Sequence, residues 1–166
     1  MRVVFLCTGN AARSVMAGAA LASHLPSVIV TTAGTHVVEG QPMSIRTRAA
    51  LAAVGLDIPK HRSRQAVSTE LASADLVVGL APEHVRWVRR QHPDAAARTG
   101  TLKRLCRDLP ALDGELGPRV AALGLADVEL EAWEEIVDPG GGDVPEFEAC
   151  AREIVALVPT LAKALE

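Results

Sequence analysis

Residues 3–14 read Val3-Val4-Phe5-Leu6-Cys7-Thr8-Gly9-Asn10-Ala11-Ala12-Arg13-Ser14, or VVFLCTGNAARS. An apolar, β-forming run stops at a cysteine and a glycine-bearing turn follows. An arginine then stands six residues past the cysteine, where an Ala/Leu-rich helical pattern opens. In an open parallel α/β sheet, ligands bind beyond the carboxyl ends of the strands, which is where this order places Cys7. The opening helix turns its unpaired N–H groups and positive dipole end toward the same spot, making it an anion site. Gly9 supplies the tight curvature that lets the amides of Thr8, Gly9, Asn10, Ala11 and Ala12 face inward. Arg13 adds a planar, two-pronged donor suited to phosphate oxygens. The same field favours the thiolate of Cys7, and the Ser14 hydroxyl is a further donor to the sulfur. The stretch therefore predicts a nucleophile at the floor of a cup shaped for a tetrahedral oxyanion.

Outward from this loop, short β-branched runs alternate with longer helical segments. Strands are expected at Arg2–Leu6, Ser27–Ala33, Asp75–Leu80 and Thr99–Leu102. Helices are expected at Ser14–His24, Ser44–Val54 with Gly55 past its end, Ser68–Ala72, Pro82–Gln91 and Pro145–Leu165, the last bent at Pro159. Such alternation implies a parallel sheet covered on both faces by helices. Between Lys103 and Val137, turn formers (Pro110, Gly114, Gly117, Pro118) mix with a short helical pattern at Arg119–Leu123 and an acidic stretch around Trp133. The whole chain of 166 residues reads as one domain.

Composition narrows the classes of function. Apolar residues make up 49% and charged residues 22%, which argues for a globular chain. The net charge of −3 gives no pull toward nucleic acid or an acidic membrane. No stretch approaches the roughly 20 apolar residues needed to span a bilayer. MRVVFL is too short for a leader and lacks its cleavage pattern. Three cysteines, Cys7, Cys106 and Cys150, make neither a disulfide framework nor a close-spaced metal site, which suits a cytoplasmic protein with reduced thiols.

The loop CTGNAARS closely resembles the phosphate-binding pattern of the low-molecular-weight protein tyrosine phosphatase superfamily: Cys, any residue, Gly, Asn, two residues, Arg, Ser. That superfamily also includes one class of arsenate reductases. Further matches are Thr32-Ala-Gly-Thr35, Gly40, Pro42, His61-Arg-Ser-Arg64, Ala74-Asp-Leu-Val-Val78 and Asp138-Pro139. The likeness covers the chain except for roughly 105–136, which reads as an insertion. It implies the family's fold, a single three-layer sandwich with a four-stranded parallel sheet. It also implies phosphomonoester hydrolysis, with protein phosphotyrosine as default substrate, through a phosphocysteine on Cys7. Arg13 and the loop from Thr8 to Ser14 would hold the phosphoryl oxygens, Asn10 would fix the loop, and Asp138 would act as general acid and base. No metal or other cofactor is implied. Phosphate, sulfate and arsenate are the oxyanions expected in the loop.

Several residues depart from the family pattern. Ala12 stands where many members carry a second cysteine, so no disulfide can protect the loop. Gly140, Gly141 and Gly142 replace the aromatics that commonly wall the substrate slot, and THVVEGQP supplies none on the other side. The triple glycine also predicts a loose acid loop. Two other readings stay open. One is arsenate reduction by Cys7 with an external thiol, since GLAPEHV offers no relay cysteine after the third strand. The other is a phosphate-binding module with little turnover.

Overall fold

The apolar run at the chain start is the central strand. In the computed structural model, which describes residues 1–166, β1 (Arg2–Cys7) pairs in parallel with β2 (Ile29–Gly34) on one side and β3 (Leu76–Gly79) on the other. β4 (Thr99–Thr101) adds to β3, so all four strands are parallel in the order β2-β1-β3-β4. A strand buried on both faces alternates its side chains between two cores. Val3, Phe5 and Cys7 enter the larger core, under α1 (Arg13–His24), α2 (Ile45–Ala53), α5 (Leu102–Asp108), α6 (Leu116–Ala122) and α7 (Val144–Leu165). Val4 and Leu6 enter the smaller one, under α3 (Ser68–Ser73) and α4 (Pro82–Gln91). No helix is long and apolar enough to cross a membrane.

The pairing of β1 with β2 runs to Cys7 opposite Gly34, one residue further than either strand was expected to reach. Beyond it, Thr35 N donates to Cys7 O at 3.0 Å and His36 N to Thr8 O at 3.0 Å, so the second strand guides the chain into the turn. Gly34 is required here. A Cβ on it would lie 2.5 Å from Thr8 O and would also collide with Val37.

One detail differs from the sequence reading. The curvature assigned to Gly9 falls on Asn10, the one non-glycine residue with positive φ (50°). Asparagine tolerates that conformation because its short polar side chain can bond locally. As expected, the final helix α7 runs through Pro159, which is exposed, without a break. The lost backbone bond is outweighed by the buried face that Ile154, Val158 and Leu161 present on either side.

The stretch that reads poorly from sequence is built into the main core. Leu105, Leu109, Val120, Leu125 and Ile136 are all buried there. Its order comes from an ion pair spanning 30 residues: Arg104 Nε and Nη2 donate to Glu134 Oε2 and Oε1 at 3.0 and 2.6 Å. Thr101 Oγ1 adds a third bond to Glu134 at 2.6 Å. Burial opposes ionisation of Glu134, but the bonds from Arg104 and Thr101 outweigh it and hold the carboxyl below its ordinary range. Trp133, half-exposed, lies under the Arg107 guanidinium at 4.3 Å.

Candidate active site

Everything at the carboxyl end of β1 is arranged around the turn from Cys7 to Arg13. Cys7 Sγ, 3% exposed, lies 3.1 Å from Ser14 Oγ in the first turn of α1. The helix begins at Arg13 with no side-chain cap, because Ala12 precedes it, and the Ser14 hydroxyl faces the sulfur and Asn10. The backbone N–H groups of Thr8, Gly9, Asn10, Ala11 and Ala12 have no acceptor within the chain. Five successive amides without partners are what an anion site at a helix N-terminus requires.

Asn10 holds the turn from inside. Fully buried, it donates through Nδ2 to Ser14 Oγ and Thr32 Oγ1, each at 3.0 Å. Its Oδ1 accepts from Arg64 N at 3.1 Å, and its carbonyl accepts from His61 Nε2 at 2.7 Å. The basic loop His61-Arg62-Ser63-Arg64 thus supports the turn through its backbone and His61, while the Arg64 guanidinium is paired with Glu70. Thr47 Oγ1 in α2 donates to Ala11 O at 3.0 Å and fixes the outer limb.

Arg13 is 2% exposed and is drawn toward the segment that precedes α7. Its Nη1 donates to Ile136 O at 3.1 Å and its Nη2 to Asp138 Oδ2 at 2.8 Å. The structure thus brings Cys7, Arg13 and Asp138 to one place from positions 131 residues apart in the chain. The acid loop is better tied than its glycines suggest. Asp138 Oδ1 accepts from Gly140 N at 2.9 Å, and Gly142 N closes a turn onto Pro139 O at 2.9 Å, with Gly141 at φ 85°. Ile136 N donates to Leu80 O at 2.8 Å before the loop, and Arg46 Nη1 donates to Gly142 O at 2.5 Å after it. Asp143 then starts α7, with its N–H bonded to Glu146 Oε2 at 2.9 Å.

Two residues of the site were not found in the sequence. Glu83 and His84, in the first turn of α4, come against the turn because β3 lies beside β1. His84 Nε2 is 3.1 Å from Thr8 Oγ1 and 3.3 Å from Glu83 Oε1, and Thr8 Oγ1 donates to the same carboxylate oxygen at 3.3 Å. Burial, helped by the Arg13 charge, lowers the His84 pKa to about 3, so the ring is neutral and its approach to Glu83 is not an ion pair. Pro82 at the start of α4 was the nearest sequence signal, and it says nothing of what the following turn faces.

The model of the family described as low molecular weight phosphotyrosine protein phosphatase matches residues 2–116. The chain belongs to this family. Among its relatives, the protein-arginine-phosphatase of Geobacillus stearothermophilus is 30% identical over 166 residues, covering 99% of this chain and 96% of the relative. The structure of the arginine phosphatase from that organism superposes with a TM-score of 0.78 at 30% identity, covering 99% of this chain and 92% of that one. Low molecular weight protein-tyrosine phosphatase A of Mycobacterium tuberculosis is 35% identical over 170 residues, covering 97% of this chain and 89% of the relative. The low molecular weight protein tyrosine phosphatase of T. tengcongensis superposes with a TM-score of 0.78 at 27% identity, each chain covered to 98%. The family's two-sided α/β sandwich is thus the fold of this phosphatase.

Proposed function

We propose that this phosphatase hydrolyses phosphorylated side chains of proteins in two steps through Cys7. The sulfur attacks phosphorus in line with the leaving atom, forming the S–P bond as the bond to the substrate breaks. Asp138 gives its proton to the departing oxygen or nitrogen. The resulting carboxylate then takes a proton from water, which attacks phosphorus and returns the thiolate and inorganic phosphate. Arg13 and the amides of residues 8–12 neutralise the equatorial oxygens in both steps, and Ser14 stabilises the sulfur as leaving group. The observation that carries this reading is the run of unpartnered amides ending beside Cys7 Sγ and Arg13. Residues 105–136 serve, in this reading, to hold Ile136 and Asp138 over the turn. A cytoplasmic location suits the nucleophile, since all three cysteines are free.

Phosphotyrosine is the substrate class the family name carries. A second class, N-phosphoarginine, has specific support. All four aromatic rings already have other partners: Phe5 is buried in β1, Phe147 is buried under Arg46, Trp87 packs on His92, and Trp133 lies under Arg107. No ring is left to stack on a phenol, a contact that contributes about 0.5–1.5 kcal/mol per aromatic pair. The full-length relative named an arginine phosphatase points the same way. Arsenate reduction by a relay of protein thiols has no support. Burial pushes the Cys106 thiol up to about 11 and the Cys150 thiol up to about 12, which leaves neither as a ready thiolate.

The test is a parallel assay of para-nitrophenyl phosphate, matched phosphotyrosyl and phosphoarginyl peptides, and arsenate with thiol reductants. Phosphate release from the first three classes supports the proposal. Arsenate turnover with no phosphatase activity overturns it.

A further inference from the structure

Glu83 is an odd neighbour for an anion site. Its side chain is 64% exposed, and its Oε1 lies 3.9 Å from Arg13 Nη2. Thr8 Oγ1 donates to that oxygen at 3.3 Å and His84 Nε2 stands 3.3 Å from it, whereas Oε2 has no partner in the chain. A carboxylate here repels an incoming phosphoryl dianion unless the substrate brings a positive charge with it. Arg13 also lies between two carboxylates, with Asp138 at 2.8 Å and Glu83 at 3.9 Å. When a phosphoryl group takes the guanidinium, both acids lose their cation. Asp138 is then free to serve the leaving atom, and Glu83 is left at the lip with a free oxygen.

We propose that Glu83 is a specificity residue that receives the guanidinium of an N-phosphoarginyl substrate in place of Arg13. This rests on the phosphoarginine reading above and names the residue that enforces it. In N-phosphoarginine the delocalised charge is bonded directly to phosphorus through nitrogen, so its remaining N–H donors lie at the lip of the cup when the phosphoryl group is in it. A carboxylate is their geometric match. A phenol ring offers no donor and no charge, and would lie against Glu83 unpaired.

The experiment compares full-length wild type and Glu83→Gln on phosphoarginyl and phosphotyrosyl peptides of otherwise identical sequence. The amide keeps the size and most of the hydrogen bonding but removes the charge. KM for the phosphoarginyl peptide should rise roughly tenfold or more, while KM for the phosphotyrosyl peptide falls, because a repulsive charge has left the anion site. Opposite movements cannot arise from general damage to the turn. Parallel loss on both peptides, or no change on either, overturns the assignment. If wild type hydrolyses the phosphotyrosyl but not the phosphoarginyl peptide, the substrate reading fails and Glu83 loses its role with it. If wild type prefers phosphoarginine and Glu83→Gln keeps that preference, the fault lies with Glu83 alone.

Discussion

Arg13 Nη2 donates to Asp138 Oδ2 at 2.8 Å, joining the residue that closes the anion turn to the residue that guards its mouth. The arginine is buried and the aspartate half-exposed, so the carboxylate is the mobile member of the pair. In the proposed mechanism an arriving phosphoryl group competes with Asp138 for Arg13 and frees the acid as it binds. Asp138→Asn should therefore slow substrates with poor leaving groups most, by about 10²–10⁴-fold, and para-nitrophenyl phosphate least. A plot of log kcat against leaving-group pKa should steepen. An unchanged slope would remove Asp138 from the acid role.

Asn10 carries the left-handed turn and four hydrogen bonds at once. Asn10→Ala should lose about 1–3 kcal/mol of stability per buried group left unsatisfied, and most of the activity. Asn10→Gly removes the conformational cost but not the missing bonds, so it should recover about 1 kcal/mol relative to alanine without recovering kcat. Urea denaturation and steady-state rates on the two variants separate the effects. Equal stability of the two would mean the turn stores no left-handed strain.

Gly34→Ala acts from the neighbouring strand. Its new Cβ would press on Thr8 O at 2.5 Å and shift the turn rather than the core. Activity should fall much further than the denaturation midpoint. A variant that is unstable yet fully active in its folded fraction would contradict this.

The Arg104–Glu134 pair, 30 residues apart in sequence, holds the segment that delivers Asp138. Glu134→Gln leaves the buried Arg104 charge with only its longer contacts to Glu131 at 3.5 Å and Asp108 at 3.8 Å, at a cost of up to about 3–5 kcal/mol. Arg104→Met combined with Glu134→Leu should cost less than the single change. Denaturant titration of both variants checks the order.

Acid should destabilise the fold through His84. Its ring stays neutral in the folded protein down to about pH 3, whereas in the unfolded chain it takes up a proton below about 6.5. The unfolded state therefore binds more protons in that window. Stability is full above pH 6.5 and falls as pH drops toward 3, at up to about 1.4 kcal/mol per pH unit. His84→Asn should flatten that slope between pH 6.5 and 4. An unchanged slope would assign acid lability to other groups.

Much of this was legible in the sequence, for reasons particular to each element. β1 announces itself because a strand buried on both faces must be continuously apolar, and Pro82–Gln91 is bounded as a helix by its own proline and polar end. Cys7, Arg13 and Ser14 are readable because the proposed anion site is local, its parts lying within one turn and one helix start. Asp138 required the family resemblance, since an aspartate before proline and glycines is an ordinary turn residue on its own. Residues 103–137 resisted because a buried ion pair between Arg104 and Glu134 leaves no periodic trace, and turn formers hide the apolar contacts they space. Glu83 and His84 reach the site only through strand order, with β3 beside β1. The left-handed residue was misplaced by one because glycine is the usual occupant, whereas here side-chain bonds stabilise Asn10.

The central claim is that the phosphoryl group passes through the sulfur of Cys7. Rapid acid quench during steady-state turnover of para-nitrophenyl phosphate, followed by mass analysis of the peptide carrying Cys7, tests it directly. The account predicts one phosphoryl group on Cys7, appearing as fast as nitrophenol is released, and none in Cys7→Ala, which should be inactive. Turnover without any modified Cys7, or sustained activity in Cys7→Ala, would contradict it.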